Sequence, residues 1–287
     1  MSRISIGVDT WSYHRALDPL PGEGPARTLE DLLPLLNEAG VEAVSLSSGL
    51  ETYRTGEPLR RLRRLIEDCH FEALVSAGAI APPGEPLDAV AESVLPVLDV
   101  AAFLGARVCR VITGWFREAA FDPAPAIERT VAALRYFEPR ARERGVRLAL
   151  ENHSDFRLAE LRAVFDAVSS EWVGLTFDPQ NCAKVCDDPL AVCTSLLPRI
   201  FATHLRDHRS ESVFEPGRTA RYGVKLINCP LGRGVVPVRE ALRALADGRP
   251  DAPWIVESIP GVGDEHDAVV ADVRWLQRAR SELAGAG

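Results

Sequence analysis

Four side chains able to bind a metal ion recur along the second half of this chain. Glu151, Asp178, His204 and Glu257 each close a short apolar run, and they stand 27, 26 and 53 residues apart. The last interval contains a long insert; without it, all three intervals would be about equal. Charged groups at the ends of apolar strands are costly to bury unless something compensates them. Three converging carboxylates would repel one another and raise each other's pKa. A divalent cation removes that conflict. Three hard oxygens and one imidazole suit Mn²⁺, Mg²⁺ or Co²⁺ well, and Zn²⁺ acceptably. The alternative is four unrelated polar caps on four strands.

The elements that must position these groups follow from the alternation of the chain. Short β-branched or apolar runs predict strands over 4–9, 41–47, 71–77, 107–112, 146–151, 173–178, 200–205 and 254–257. Stretches with helical spacing lie between them, over 29–39, 59–69, 86–104, 123–144, 158–168, 189–197 and 238–246, and a last one covers 266–283. Gly40, Gly105 and Gly145 stand where helices should stop. Eight β–α units imply a parallel sheet with helices outside, and their number matches a closed (β/α)8 TIM barrel, an α/β fold, as one domain over 1–287. A doubly wound open sheet is the rival. It is opposed by the lack of a G-x-G-x-x-G after any early strand and of any break into halves. Residues 206–237, rich in Gly, Arg, Pro and Ser, read as a long loop after the seventh strand, at the C-terminal rim where barrel chemistry occurs. Consecutive strand ends converge on that rim, so the four residues share one mouth.

Composition narrows the function classes. The 287 residues carry a net charge of −8, with 46% hydrophobic and 26% charged residues, as in ordinary globular proteins. No apolar run is long enough to span a membrane. The start of the chain lacks the pattern of a signal peptide, which predicts a cytoplasmic protein. An acidic chain without a basic stripe is poorly suited to nucleic acid. The Arg60–Arg64 run reads as a solvated helix face paired with Glu57 and Glu67. Lysine occurs only at 184 and 225, which leaves two candidates for Schiff-base chemistry. Six cysteines, none in a C-x-x-C pair, read as reduced thiols.

The chain resembles the sugar phosphate isomerase/epimerase family of xylose isomerase-like TIM barrels, the group that includes tagatose 3-epimerase-like enzymes, inosose dehydratase and endonuclease IV. The matching residues are Glu151-Asn152-His153, Phe177-Asp178-Pro179-Gln180-Asn181, His204-Leu205-Arg206-Asp207, Pro230-Leu231-Gly232-Arg233-Gly234 and Val256-Glu257. The resemblance covers nearly the whole chain and is strongest over 146–257. It implies that Glu151, Asp178, His204 and Glu257 hold one divalent metal, Mn²⁺ first among Mn²⁺, Mg²⁺, Co²⁺ and Zn²⁺. It also implies that Glu151 and Glu257 face each other across a sugar substrate as an acid–base pair. The implied activity is isomerisation or epimerisation of a ketose by proton abstraction beside a carbonyl, through a metal-bound enediolate. A lyase or dehydratase acting on a keto-cyclitol, keto-sugar or 3-keto-glycoside would use the same site. Such look-alikes are commonly homodimers or homotetramers.

The chain also departs from the family pattern. Many relatives carry a histidine three residues after the sixth-strand aspartate, where this chain has Asn181. An amide can hydrogen-bond a sugar hydroxyl but is a poor metal ligand, which argues against a multi-zinc nuclease. Arg233 stands where close relatives are expected to carry an acid. Further candidates for substrate contact are His153, Trp115, Arg209, Trp11 and Arg110. Each has a plain alternative: rim polarity for His153, packing for the tryptophans, surface charge for Arg209, and a structural pair with Glu151 for Arg110. Asp207 reads either as a partner of a metal ligand or as half of a salt bridge to Arg206 or Arg209.

Overall fold

A computed structural model describes residues 4–21, 25–118, 121–212, 224–259 and 263–285. In chain order its elements are β1 (Ile6–Asp9), α1 (His14–Leu17), α2 (Leu29–Glu38), β2 (Ala43–Leu46), α3 (Gly56–Asp68), β3 (Glu72–Ala79), α4 (Leu87–Leu104), β4 (Val108–Ile112) and α5 (Pro123–Glu143). They continue with β5 (Arg147–Glu151), α6 (Leu158–Val168), β6 (Val173–Phe177), α7 (Pro179–Lys184), α8 (Pro189–Leu196), β7 (Ile200–Thr203), β8 (Asp207–Ser212), β9 (Val224–Cys229), α9 (Val238–Gly248), β10 (Trp254–Val256) and α10 (Glu265–Gly285).

Eight strands pair in parallel in the order β10-β1-β2-β3-β4-β5-β6-β7. The ring closes through a single bridge, Leu205 to Val256, with Leu205 N–H donating to the Ile255 carbonyl at 2.7 Å. The result is the expected (β/α)8 barrel, nearly closed. Local chemistry explains the helix limits. Thr28 and Asp31 form a reciprocal capping box at the start of α2. Gly40, Gly105 and Gly145 all take left-handed φ, between 71° and 74°, just past helix ends.

Packing divides into two layers. Inside the ring, Ala43, Leu74, Val108, Ala149, Ala202 and Ile255 fill the narrow interior with mostly small side chains. Outside it, a larger core joins the strands to the helices. The arginine-rich face of α3 is exposed and paired as expected, Arg60 and Arg64 with Glu57, and Arg63 with Glu67. Among the described residues, no helix is long and apolar enough to cross a membrane.

The segment after the seventh strand is not simply a loop. β8 and β9 pair antiparallel, from Asp207–Cys229 to Ser212–Val224, as a hairpin rising from the rim. Its tip, 213–223, lies outside the described residues. The polar run Asp-His-Arg-Ser-Glu-Ser of β8 has no hydrophobic alternation, so only its pairing with β9 makes it a strand.

Candidate functional site

The barrel positions the site by ending its strands at one level. Glu151 is the last residue of β5. His204 and Glu257 stand one residue beyond β7 and β10. These three offer one ligand atom each, all within 4.8 Å of one another. His204 Nδ1 lies 3.7 Å from Glu151 Oε2 and 3.6 Å from Glu257 Oε2. All three side chains are buried, and neither His204 Nδ1 nor Glu257 Oε2 has a hydrogen-bond partner. Two orphaned buried atoms aimed at one point, beside a third carboxylate oxygen, fit a divalent cation: it would satisfy both and offset the carboxylate charge.

Asp178 departs from the four-ligand expectation. β6 ends at Phe177, and Asp178 is the N-cap of α7. Its Oδ1 accepts from the backbone of Gln180 and Asn181 at 2.8 and 3.1 Å. Its Oδ2 accepts from Arg206, at 2.8 Å from Nε and 2.6 Å from a terminal nitrogen. The carboxylate thus caps a helix and pairs with a guanidinium, while three of the four expected residues form a group that could hold a metal ion. The pair Asp178-Pro179 carried that signal, because aspartate at N-cap followed by proline at the first helical position is a helix start.

Two buried arginines thread the carboxylates. Arg110 points from β4 into the mouth, donates from Nε to Glu151 Oε2, and reaches Ser76 Oγ at 2.9 Å. The structural pair of Arg110 with Glu151 is thus present. Arg206, absent from the expected site, also lies 3.3 Å from Glu257 Oε2 and donates to Asn181 Oδ1 at 2.9 Å. Asn181 in turn donates to Glu151 Oε1 at 2.9 Å, so both oxygens of Glu151 are held. Burial alone would raise the pKa of Glu151, but Arg110 and His204 bring it below the usual carboxylate range. Glu257 follows the same pattern, with Arg206 and His204 outweighing burial. For Asp178 burial wins over Arg206 and its pKa is raised. Burial opposes the charged form of His204, yet Glu257 and Glu151 lift its pKa to about 9.

The other candidates scatter. His153 is half-buried above Glu151, edge-on to Phe116 at 5.7 Å. Trp11 is 45% exposed, stacks on His14 at 5.0 Å, and lines a cavity of about 640 Å³ with Ser47 and Tyr53. Arg209 is exposed on β8, away from the cluster. Trp115 is tied down by a 2.7 Å bond from its indole N–H to the Ala81 carbonyl and packs against the core.

Trp115 N–H also donates to Thr113 Oγ1, and that hydroxyl donates to the buried Asp155. Burial pushes the Asp155 pKa up to about 6. The folded state thus holds this proton more tightly than the unfolded chain, and stability falls as pH rises from about 4 to about 6. A rise of that size corresponds to about 3 kcal/mol. Asp155→Asn should remove this slice. Urea unfolding at pH 4 and pH 7 should find the wild type losing about 3 kcal/mol relative to the variant over that interval.

Asp207 forms neither of the expected partnerships. Its carboxylate accepts from four backbone N–H groups, those of His208, Gly232, Gly234 and Val236, at 2.8 to 3.1 Å. It ties the segment after the hairpin to the barrel rim. Gly234 is required there, because a Cβ would sit 2.1 Å from Asp207 Oδ1. Asp207→Ala should cost about 3 kcal/mol of unfolding free energy, since it strands several donors at once. Asp207→Asn, which keeps one acceptor oxygen, should cost clearly less in the same urea titration.

Comparison with known proteins agrees with this architecture. A family model described as xylose isomerase-like TIM barrel matches residues 17–279. The 3-oxo-isoapionate decarboxylase of Pectobacterium atrosepticum is 24% identical over 206 residues, covering 71% of this chain and 69% of that one. A structure of an L-ribulose 3-epimerase superimposes with a TM-score of 0.75 at 17% identity, covering 99% of this chain and 96% of the other. A xylose isomerase-like TIM barrel protein from Mycobacterium smegmatis, in complex with magnesium, does so with a TM-score of 0.74 at 16% identity, over 98% and 97% of the two chains.

Proposed function

The chain belongs to the xylose isomerase-like TIM barrel family, whose relatives are enzymes acting on sugars, and from that premise we propose that it is a divalent-metal-dependent isomerase or epimerase of a small ketose. The observation that carries the reading is the convergence of Glu151, His204 and Glu257, with His204 Nδ1 and Glu257 Oε2 buried and unpartnered. Bound there, a divalent ion supplies the Lewis acidity that polarises a carbonyl and acidifies the adjacent C–H. Magnesium accompanies one structural neighbour; manganese suits the same oxygen-and-imidazole set.

The residues divide the remaining work. Glu257 keeps one oxygen free of hydrogen bonds and is the better-placed base for the carbon-bound proton. Glu151 faces it from β5. To exchange a proton it must first be released by Asn181, whose neutral amide holds Oε1 more weakly than Arg110 holds Oε2. Arg110 and Arg206 offset part of the carboxylate charge of the mouth. A proton returned to the same carbon from the opposite face gives an epimer, and one returned to the neighbouring carbon gives an aldose–ketose pair.

A second reading has its own support. With both Glu151 oxygens held, a single base remains, and one base suffices for elimination of a β-leaving group; loss of CO2 from a β-keto carboxylate needs no base at carbon, only a polarised carbonyl to take the electron pair and a proton donor afterwards. The decarboxylase relative is consistent with that lyase outcome. All six cysteines are free, which supports a cytoplasmic setting. The deciding experiment is deuterium uptake from D₂O over a panel of ketoses, keto-cyclitols and 3-keto-glycosides in the presence of Mn²⁺. Exchange beside a carbonyl with conserved mass supports the isomerase, and loss of water, an aglycone or CO₂ supports the lyase. Absence of both across the panel contradicts the proposed chemistry.

A further inference from the structure

A fourth acidic residue reaches the cluster. Asp9 closes β1 as Glu151 closes β5, and it is fully buried. Its Oδ1 accepts from Trp11 N–H at 2.8 Å and from Ser47 Oγ. Its Oδ2 accepts from Ser45 Oγ at 2.6 Å. A carboxylate oxygen can accept two hydrogen bonds, so one site remains on Oδ2. That oxygen lies 3.4 Å from His204 Nε2.

The opposite edge of the same ring faces the metal candidates. Nδ1 is buried without a partner and lies under 4 Å from both Glu151 and Glu257. A neutral imidazole carries one hydrogen, and whichever nitrogen lacks it is the ligand. With the hydrogen on Nδ1, the Nε2 lone pair would face the Asp9 carboxylate, and no nitrogen would be free to bind an ion between the glutamates. With the hydrogen on Nε2, Asp9 has a donor and Nδ1 presents its lone pair to the point where the glutamate oxygens converge.

We propose that Asp9 is the positioning residue of this site: its carboxylate fixes His204 as the Nε2–H tautomer and thereby makes Nδ1 a metal ligand. The inference rests on the reading of Glu151, His204 and Glu257 as a metal centre. It adds a residue from β1 to a metal site otherwise built at the ends of β5, β7 and β10. A carboxylate behind a ligating histidine orients the ring and raises its basicity, and its loss commonly weakens metal binding 10- to 100-fold.

Asp9 also holds the end of β2 through Ser45 and Ser47, so the test must separate that role. Mn²⁺ affinity is measured by calorimetry for the wild type, Asp9→Asn and the double variant Ser45→Ala/Ser47→Ala. Asp9→Asn should bind Mn²⁺ 10- to 100-fold more weakly, while the serine variant, which loses the loop contacts but keeps the carboxylate behind the ring, should stay within about 3-fold of wild type. Nitrogen-15 spectra of Mg²⁺-loaded wild type need no variant and should give His204 a protonated Nε2 and an unprotonated Nδ1. Equal Mn²⁺ affinity in Asp9→Asn, an equal loss in the serine variant, or a protonated Nδ1 in the loaded protein would each overturn the role of Asp9 alone. A wild type that binds neither ion overturns the metal centre itself.

Discussion

Glu257→Gln should reduce turnover by roughly 10³-fold, within the range expected for a lost general base, and leave the fold intact. The substitution keeps the shape of the side chain and removes a buried carboxylate charge whose Oε2 accepts no hydrogen bond. Arg206, its cationic neighbour, stays compensated because Asp178 still holds it at two nitrogens. Urea unfolding should therefore move little while deuterium exchange into substrate disappears. Glu151→Gln should lose exchange as well, but with a second effect. Arg110 would keep Ser76 and at most a neutral amide oxygen as partners, and breaking a buried ion pair from one side costs up to about 3–5 kcal/mol. The two variants thus separate by stability where they agree in activity. Wild-type exchange in either removes that glutamate from the chemistry.

Arg206→Met should be strongly destabilising, by about 3–5 kcal/mol in urea unfolding. The guanidinium bridges Asp178, Glu257 and Asn181 at once. Without it the Asp178 carboxylate keeps only backbone donors, and Glu257 loses its largest compensating charge. Arg206→Lys should recover only part of the loss, because an ammonium cannot span three acceptors in the fixed geometry of a guanidinium fork. Divalent ions should restore stability to Arg206→Met more than to the wild type, since a cation between Glu151 and Glu257 replaces part of the missing charge. Parallel unfolding curves with and without Mn²⁺ read this directly. A neutral Arg206→Met would mean that the Asp178–Arg206 pair does not hold the mouth together.

The barrel was legible because its signal is periodic. Strands buried on both faces read as continuous apolar runs, and glycines at left-handed positions marked several helix ends. The three converging residues were legible for a related reason, as each puts a polar side chain where an apolar run stops. Asp9 carries the same signal after Ile6 and Val8, but it stands outside the regular spacing of the later strand ends. Arg206 was unreadable in kind: an arginine two residues after a histidine looks like surface charge until β7 and α7 bring it against Asp178. The same holds for Asp178 itself, where a helix cap and a metal ligand require the same residue type at the same strand end. Its oxygens show the cap and the pair with Arg206, which the residue type alone does not reveal. The β8–β9 hairpin was missed because its first strand is polar along its whole length.

The central claim is that Glu151, His204 and Glu257 together hold one divalent ion. Its most direct test is calorimetric titration of Mn²⁺ into chelator-stripped protein, for the wild type and for His204→Asn. The account predicts one ion per chain in the wild type and at least a 100-fold weaker affinity in the variant, as expected when a direct ligand is lost rather than a supporting group. No binding in the wild type, or binding unchanged by His204→Asn, would contradict it.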